Sequence, residues 1–155
     1  MNVRTADIQD IETLIKLRVE YLTAHFGPLE PDTERAIRTQ LAAYFAAHLN
    51  ADFVAVLGEA DGTAVSTAYL AVSEKPANPR FITGKTATLL NVFTYPEYRG
   101  KGYATAVLKR ILQEAKAMNV SVIELSATEA GRPIYEKLGF TAQVQKETPM
   151  TLRLI

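Results

Sequence analysis

Residues Arg99-Gly100-Lys101-Gly102 separate two stretches of opposite character, and they restrict what the chain can build there. Upstream, residues 86–94 (TATLLNVFT) are apolar and rich in β-branched side chains, a strand that Pro96 stops. Downstream, Ala104, Val107, Leu108, Ile111, Leu112, Ala115 and Met118 recur at helical spacing. Strand, glycine turn and helix are therefore expected in that order. The first N–H groups of a helix have no partner within it, and the aligned peptide dipoles make that end positive. Glycine adds left-handed backbone freedom and removes the Cβ that would hold a ligand off. Gly100 and Gly102 ahead of a long helix thus predict a phosphate cradle, with Arg99 and Lys101 adding positive charge.

The remaining pattern places this unit late in the chain. Residues 2–5 (NVRT) predict a first strand. Asp7 then caps a helix whose stripe is Ile8, Ile11, Ile15, Val19 and Leu22. A second helix follows the FGPLEP break, with Ile37, Leu41, Tyr44, Phe45 and His48 on one face. DFVAVL and AVSTAYLAV flank Asp61-Gly62 and predict a β-hairpin. After the glycine-led helix, VSVIEL predicts a buried strand and GRPIYEKLGF a short helix between Pro133 and Gly139. The alternating tail MTLRLI predicts a last strand. The whole is an α+β chain with a mixed sheet, one domain over residues 1–155.

At 155 residues, 48% hydrophobic and 22% charged, the chain is long enough for a sizeable core. Its 17 Lys plus Arg balance 17 Asp plus Glu, so no overall field draws it to nucleic acid or a lipid surface. The absence of cysteine removes disulfides, zinc-thiolate sites and a cysteine nucleophile, and no metal site is expected. No apolar run is long enough to span a membrane, so a cytoplasmic setting is the plain expectation.

Two nucleotide-binding patterns fit poorly. Thr83-Gly84-Lys85-Thr86 mimics the end of a Walker motif, but Pro79 stands where its first glycine belongs and a strand follows. A dinucleotide fingerprint would use Gly100 and Gly102, but Thr105 stands where it needs a third small residue. Glu124 lies at a suitable distance for the ribose, but several residues, Pro96 among them, part the strand from the glycines. A dinucleotide-binding protein is thus a weaker alternative.

Arg99, Gly102 and Ala104 match the Arg/Gln-x-x-Gly-x-Gly/Ala signature of the GNAT acetyltransferases. GRPIYEKLGF resembles that family's second signature, in the right order, and the two together cover residues 89–140. The resemblance implies a mostly antiparallel sheet with splayed parallel strands 4 and 5 and about four flanking helices. It implies acetyl-CoA as co-substrate, with the pantetheine arm pairing along Val92, Phe93 and Thr94. The pyrophosphate would lie on N–H groups from Gly100, Lys101, Gly102, Tyr103, Ala104 and Thr105, with the Arg99 charge beside it. Tyr135 matches the general acid that protonates the leaving thiolate; a phenol near pKa 10 can do so for a thiol near 8.5.

The resemblance also implies an amine acceptor, on a small molecule or a protein, and admits a homodimer. A non-catalytic acyl-CoA-binding module is the second alternative. The strand before the glycines offers Thr88 and Asn91 but no carboxylate base, leaving water or a more distant side chain such as Glu20 or His25. Thr128 replaces the Asn that many relatives carry seven residues before the tyrosine. Tyr21, His25 and Phe26 are the candidates to line an acceptor pocket.

Overall fold

The apolar runs of the first part of the chain pair into one five-stranded sheet in the computed structural model, which describes residues 1–155. The chain forms two units, Met1–Leu125 and Ser126–Ile155. In the first unit, β1 (Asn2–Thr5), β2 (Phe53–Ala60), β3 (Thr63–Glu74), β4 (Lys85–Thr94) and β5 (Val122–Glu124) lie side by side in chain order. Neighbours are antiparallel except β4 and β5, which run parallel. The mixed class and the parallel pair agree with the sequence reading.

Three helices cover this sheet: α1 (Ile11–Phe26), α2 (Pro31–His48) and α3 (Tyr103–Ala117). Strand β2 shows how both faces are buried. Phe53, Ala55 and Leu57 join Leu14 and Leu17 of α1 and Leu41 and Phe45 of α2 in one cluster. By the two-residue alternation, Val54, Val56 and Gly58 turn to the opposite face. There α3 comes so close that a Cβ on Gly58 would stand 3.1 Å from Val107 Cγ1 and 3.3 Å from Tyr103 Cδ1. Tyr69 of β3, almost wholly buried, donates its hydroxyl to the Leu14 carbonyl at 2.7 Å and ties sheet to α1. Burial pushes that phenol well above its ordinary pKa.

Some expectations shift. Asp7 does cap, accepting from Gln9 N–H while Asp10 accepts from Asp7 N–H, but the box starts a 3₁₀ turn ahead of α1. Ile8 is left 71% exposed, outside the apolar stripe. β5 is three residues long and half-buried to exposed, not the buried strand expected, because β4 pairs with it only at Thr86, Ala87 and Thr88.

The second unit holds α4 (Arg132–Lys137). No strand forms over residues 141–155, where Leu152 and Leu154 are exposed. Alternation states which face a strand would bury, but a strand exists only by pairing, and residues 141–155 pair with no strand in this chain. No helix is long and apolar enough to cross a membrane.

Two stability outcomes follow from the first unit. Gly58→Val forces α3 off the sheet and should cost about 1–3 kcal/mol in urea unfolding. Arg4 bridges Asp10 at 2.7 Å and Glu59 at 2.8 Å. The Arg4 hydrogen bond holds the Asp10 carboxyl below its ordinary 3.8, and Asn2 with Arg4 holds Glu59 below 4.5. Depressed carboxylate values stabilise the fold above the unfolded pKa, and that contribution fades as pH falls through the folded value. Arg4→Met should therefore lower the melting temperature at pH 7 by an amount equivalent to no more than about 1 kcal/mol, since the pair is partly solvated. Melting curves of the two proteins should converge as pH falls below about 4.

Candidate functional site

The glycine turn takes the shape its sequence allows. Gly100 has φ +72° and Gly102 φ +87°, both left-handed. Gly102 caps α3 without any side-chain cap, and the first helical bond is Ala106 N–H to Gly102 C=O at 3.0 Å. The N–H groups from Gly102 through Thr105 have no acceptor in the chain. A Cβ on either glycine would meet nothing within 4 Å, so the approach to these groups is open. Lys101 stands with Nζ 5.3 Å over the Tyr98 ring. Arg99 turns back, donating Nε–H to the Thr94 carbonyl at 3.0 Å. Tyr103 is 8% exposed and packs edge-on against Tyr98, so only its main chain borders the turn.

Strand β4 leads into this turn with main-chain groups to spare. Its pairing with β5 ends at Thr88, and Leu89 through Thr94 have no neighbour on that side. On the other side, Tyr95 N–H donates to Val65 C=O at 3.0 Å. Antiparallel main-chain groups alternate in direction, so Phe93 also faces β3, opposite Thr67, whereas Thr94 faces away from it; Val92 lies in a slipped register, where the alternation breaks. Of the three strand residues expected to meet a ligand, Thr94 is turned toward the splayed side and Phe93 is committed to the sheet. The Thr94 carbonyl is already taken by Arg99.

The register of β3 and β4 slips where Ala68 faces two residues, Asn91 and Val92. Asn91 sits there at φ +54°, 1% exposed. Asparagine is among the few residues that tolerate this region, and a left-handed residue at such a bulge is usually glycine. Arg18 of α1 donates Nη1–H to Asn91 Oδ1 at 3.3 Å. That contact fixes the amide orientation and leaves Nδ2–H buried with no acceptor. A buried unpaired donor costs of the order of 1–3 kcal/mol, whereas the left-handed backbone is one that Asn50 and Asn119 also take. Sequence reading noted Asn91 only as the lack of a carboxylate; the available signal was a polar, turn-tolerant residue inside an apolar strand.

Elsewhere in this unit, Tyr21, His25 and Phe26 form an aromatic run along the last turns of α1, with His25 stacked on Tyr21 and Phe26 71% exposed. Glu20 is half-buried, and its Oε2 is covered with no hydrogen-bond partner. Burial, with Glu20 beside it, pushes the Tyr95 phenol above its ordinary value. A hollow of about 540 Å³ that Glu20 lines is otherwise bordered by Glu12, Thr13, Lys16 and Arg38, with no β4 residue. No group of three or more His, Asp or Glu side chains is placed to hold a metal ion.

In the second unit, α4 is framed by glycines. Thr128 Oγ1 accepts from Gly131 N–H at 3.1 Å, so the residue standing in for asparagine still closes the turn. A Cβ on Gly131 would lie 3.3 Å from Tyr135 Cε2, and Phe140 meets the Tyr135 ring edge-on at 5.9 Å. The two glycine-flanked ends thus set where the half-buried tyrosine ring lies.

The sheet order also disposes of the dinucleotide alternative. Only one pair of strands is parallel, and the 3₁₀ turn Pro96–Tyr98 parts β4 from the glycines. A doubly wound dinucleotide fold needs several parallel strands and an immediate strand-to-helix turn.

The model of the GNAT acetyltransferase family matches residues 11–140. A predicted acetyltransferase from Clostridium acetobutylicum, solved with acetyl-CoA, is 32% identical and superposes with a TM-score of 0.83 over 97% of this chain and 95% of its own. A GCN5-related N-acetyltransferase from Ralstonia eutropha JMP134 shares the fold at 23% identity, TM-score 0.75, covering 96% of this chain and 97% of its own. Glucosamine-6-phosphate N-acetyltransferase from Arabidopsis thaliana shares it at 17% identity and a TM-score of 0.69, covering 96% and 97%. With the splayed β4–β5 pair and the glycine-led α3 in place, the chain belongs to the GNAT acetyltransferase family.

Proposed function

We propose that residues 1–155 act as one domain that transfers the acetyl group of acetyl-CoA to an amine nitrogen. The observation that carries this reading is the continuity of unpaired main chain from β4 into α3. Strand β4 loses its β5 partner after Thr88, the Thr94 N–H faces the splayed side, and the free N–H groups of Gly102 through Thr105 follow. An extended amide-bearing arm can pair with the first set as an added strand, and a diphosphate can lie on the second. Acetyl-CoA carries both in that order, and the 32% identical relative was solved with it. The family match runs through both units, which supports a single domain.

In the reaction, the amine lone pair attacks the thioester carbonyl carbon and forms the C–N bond. The C–S bond then breaks with its electron pair going to sulfur. Tyr135 supplies the proton the thiolate takes up, and the proton leaving nitrogen passes to water and returns the phenol to its starting state. The assignment of Tyr135 rests on its motif. Neither Glu20 nor His25 is given the role of base.

A non-catalytic acyl-CoA-binding module would share the same cradle, and turnover separates the two. Calorimetric titration with acetyl-CoA should give saturable binding that Gly102→Asp abolishes, because a carboxylate and a Cβ would enter the diphosphate position. Tyr135→Phe should lower acceptor-dependent CoA release by about 10²-fold, as loss of a general acid does, with the acetyl-CoA Kd unchanged. Binding with no amine-dependent release from any acceptor would select the module. A folded protein that does not bind acetyl-CoA would overturn both.

A further inference from the structure

Arg18 is a half-buried cation for which the chain supplies no counter-ion. None of the ion pairs in the structure includes it. Arg4, Arg35, Arg38, Arg110 and Arg132 each meet a carboxylate, and Arg99 meets the Thr94 carbonyl. Arg18 has one long hydrogen bond, to Asn91, and its guanidinium lies 5.8 Å from the centre of the Tyr21 ring. The Asn91 contact places it beside β4. Asn91 accepts a left-handed backbone and an unpaired buried N–H, and what this achieves is to turn Oδ1 toward that guanidinium. A desolvated charge without a partner is unfavourable. The buried Asn91 N–H left unpaired while its Oδ1 meets that cation is a second unfavourable feature, and the two together mark a recognition site, not a structural tie.

We infer that Arg18, aimed by Asn91, binds a carboxylate on the acceptor, so that the amine acetylated by this protein belongs to an amino acid or a similar carboxylate-bearing amine. This rests on the acetyltransferase reading above and names its substrate class. The position is suitable, because Asn91 lies in the part of β4 beyond Thr88 that β5 leaves unpaired, and Arg18 reaches it from α1. A guanidinium offers a planar donor pair that matches a carboxylate in two hydrogen bonds. One cation suits a monoanion better than a phosphate dianion. The same charge repels polyamines. The neighbouring Tyr21 ring gives an apolar surface against which a side chain of the acceptor can lie. Asn91 is a positioning residue here, and it acts through Arg18.

The test uses matched pairs of acceptors: glycine, phenylalanine and methionine against glycinamide, phenylalaninamide and methioninamide. Each pair differs in the charged group, and because the amide also lowers the pKa of the neighbouring ammonium, kcat/KM is compared per neutral amine. CoA release is followed with the full-length protein, and acetyl-CoA affinity is measured in parallel by calorimetry. The free acids should be preferred in kcat/KM. Arg18→Gln should cut that preference by about 10- to 100-fold, acting through KM, with acetyl-CoA affinity retained. Arg18→Lys should restore part of it. Asn91→Asp, which keeps the side-chain shape and tolerates the left-handed backbone, should neutralise Arg18 and also erase the preference. A purely structural contact would alter melting temperature while leaving the acid-to-amide ratio as it was. That result, amides used as well as acids, or phosphoethanolamine used in place of any carboxylate, would overturn the inference. So would acetyl-CoA binding without turnover of any free acid, which leaves the acetyl-CoA site standing. Failure of the folded protein to bind acetyl-CoA would remove the acetyltransferase reading and this inference with it.

Discussion

Every main-chain N–H and C=O withdrawn from water must find a partner, and β4 is where this chain leaves that demand open. It begins as an interior strand, with β3 on one side and β5 on the other, and after Thr88 it has only β3. Strand β5 is only three residues long, and the next helix, α3, starts with its own free N–H groups. The two sets of unpaired groups follow one another along the backbone. The rest of the first unit serves to hold them still. Helices α1 and α2 clamp one face, α3 the other, and Gly58 lets α3 sit close enough for its first turn to be fixed against the sheet.

A site made of main chain places few demands on side chains. Gly100 and Gly102 combine left-handed backbone with open approach, and in the proposed acetyl-CoA site Tyr103, Ala104 and Thr105 would enter only through their N–H groups. This accounts for structural relatives at 17% to 32% identity that keep TM-scores of 0.69 to 0.83. It also explains why the glycine turn could be read from sequence so directly. Its chemistry is local, since strand, turn and helix lie within some thirty residues and need no distant partner to be recognised. The Asp61-Gly62 hairpin was legible for the same reason, with both residues at positive φ in the structure.

What the sequence hid was whatever depends on pairing across the chain. The tail MTLRLI has the alternation of a strand and VSVIEL the apolarity of a buried one, yet neither property contains the partner that would realise it. Residues 150–155 form no strand, and β5 stops after Glu124. Arg99 reads as a free cation beside the glycines, but a carbonyl five residues back captures its Nε. Asn91 is the most instructive case. In the linear pattern it is a polar interruption of an apolar run. Only the slipped register opposite Ala68 and the arrival of Arg18 from a helix some seventy residues earlier give it meaning.

Asn91 and the glycines show two uses of the same backbone region. At Gly100 and Gly102 the left-handed conformation is cheap, and the benefit is main chain left bare. At Asn91 it is tolerated, as at Asn50 and Asn119, and a glycine there would keep the bulge while losing the amide that holds Arg18. A strand that needed the bulge alone would be better served by glycine. The presence of asparagine therefore points to the side chain, and the side chain points to a cation without a counter-ion. In the proposed reaction the main chain of β4 and α3 meets the acyl donor, whose diphosphate and amides are the same whatever is being acetylated. Arg18 and Asn91 meet on the α1 side of the same strand, and it is there that we propose the acceptor is recognised.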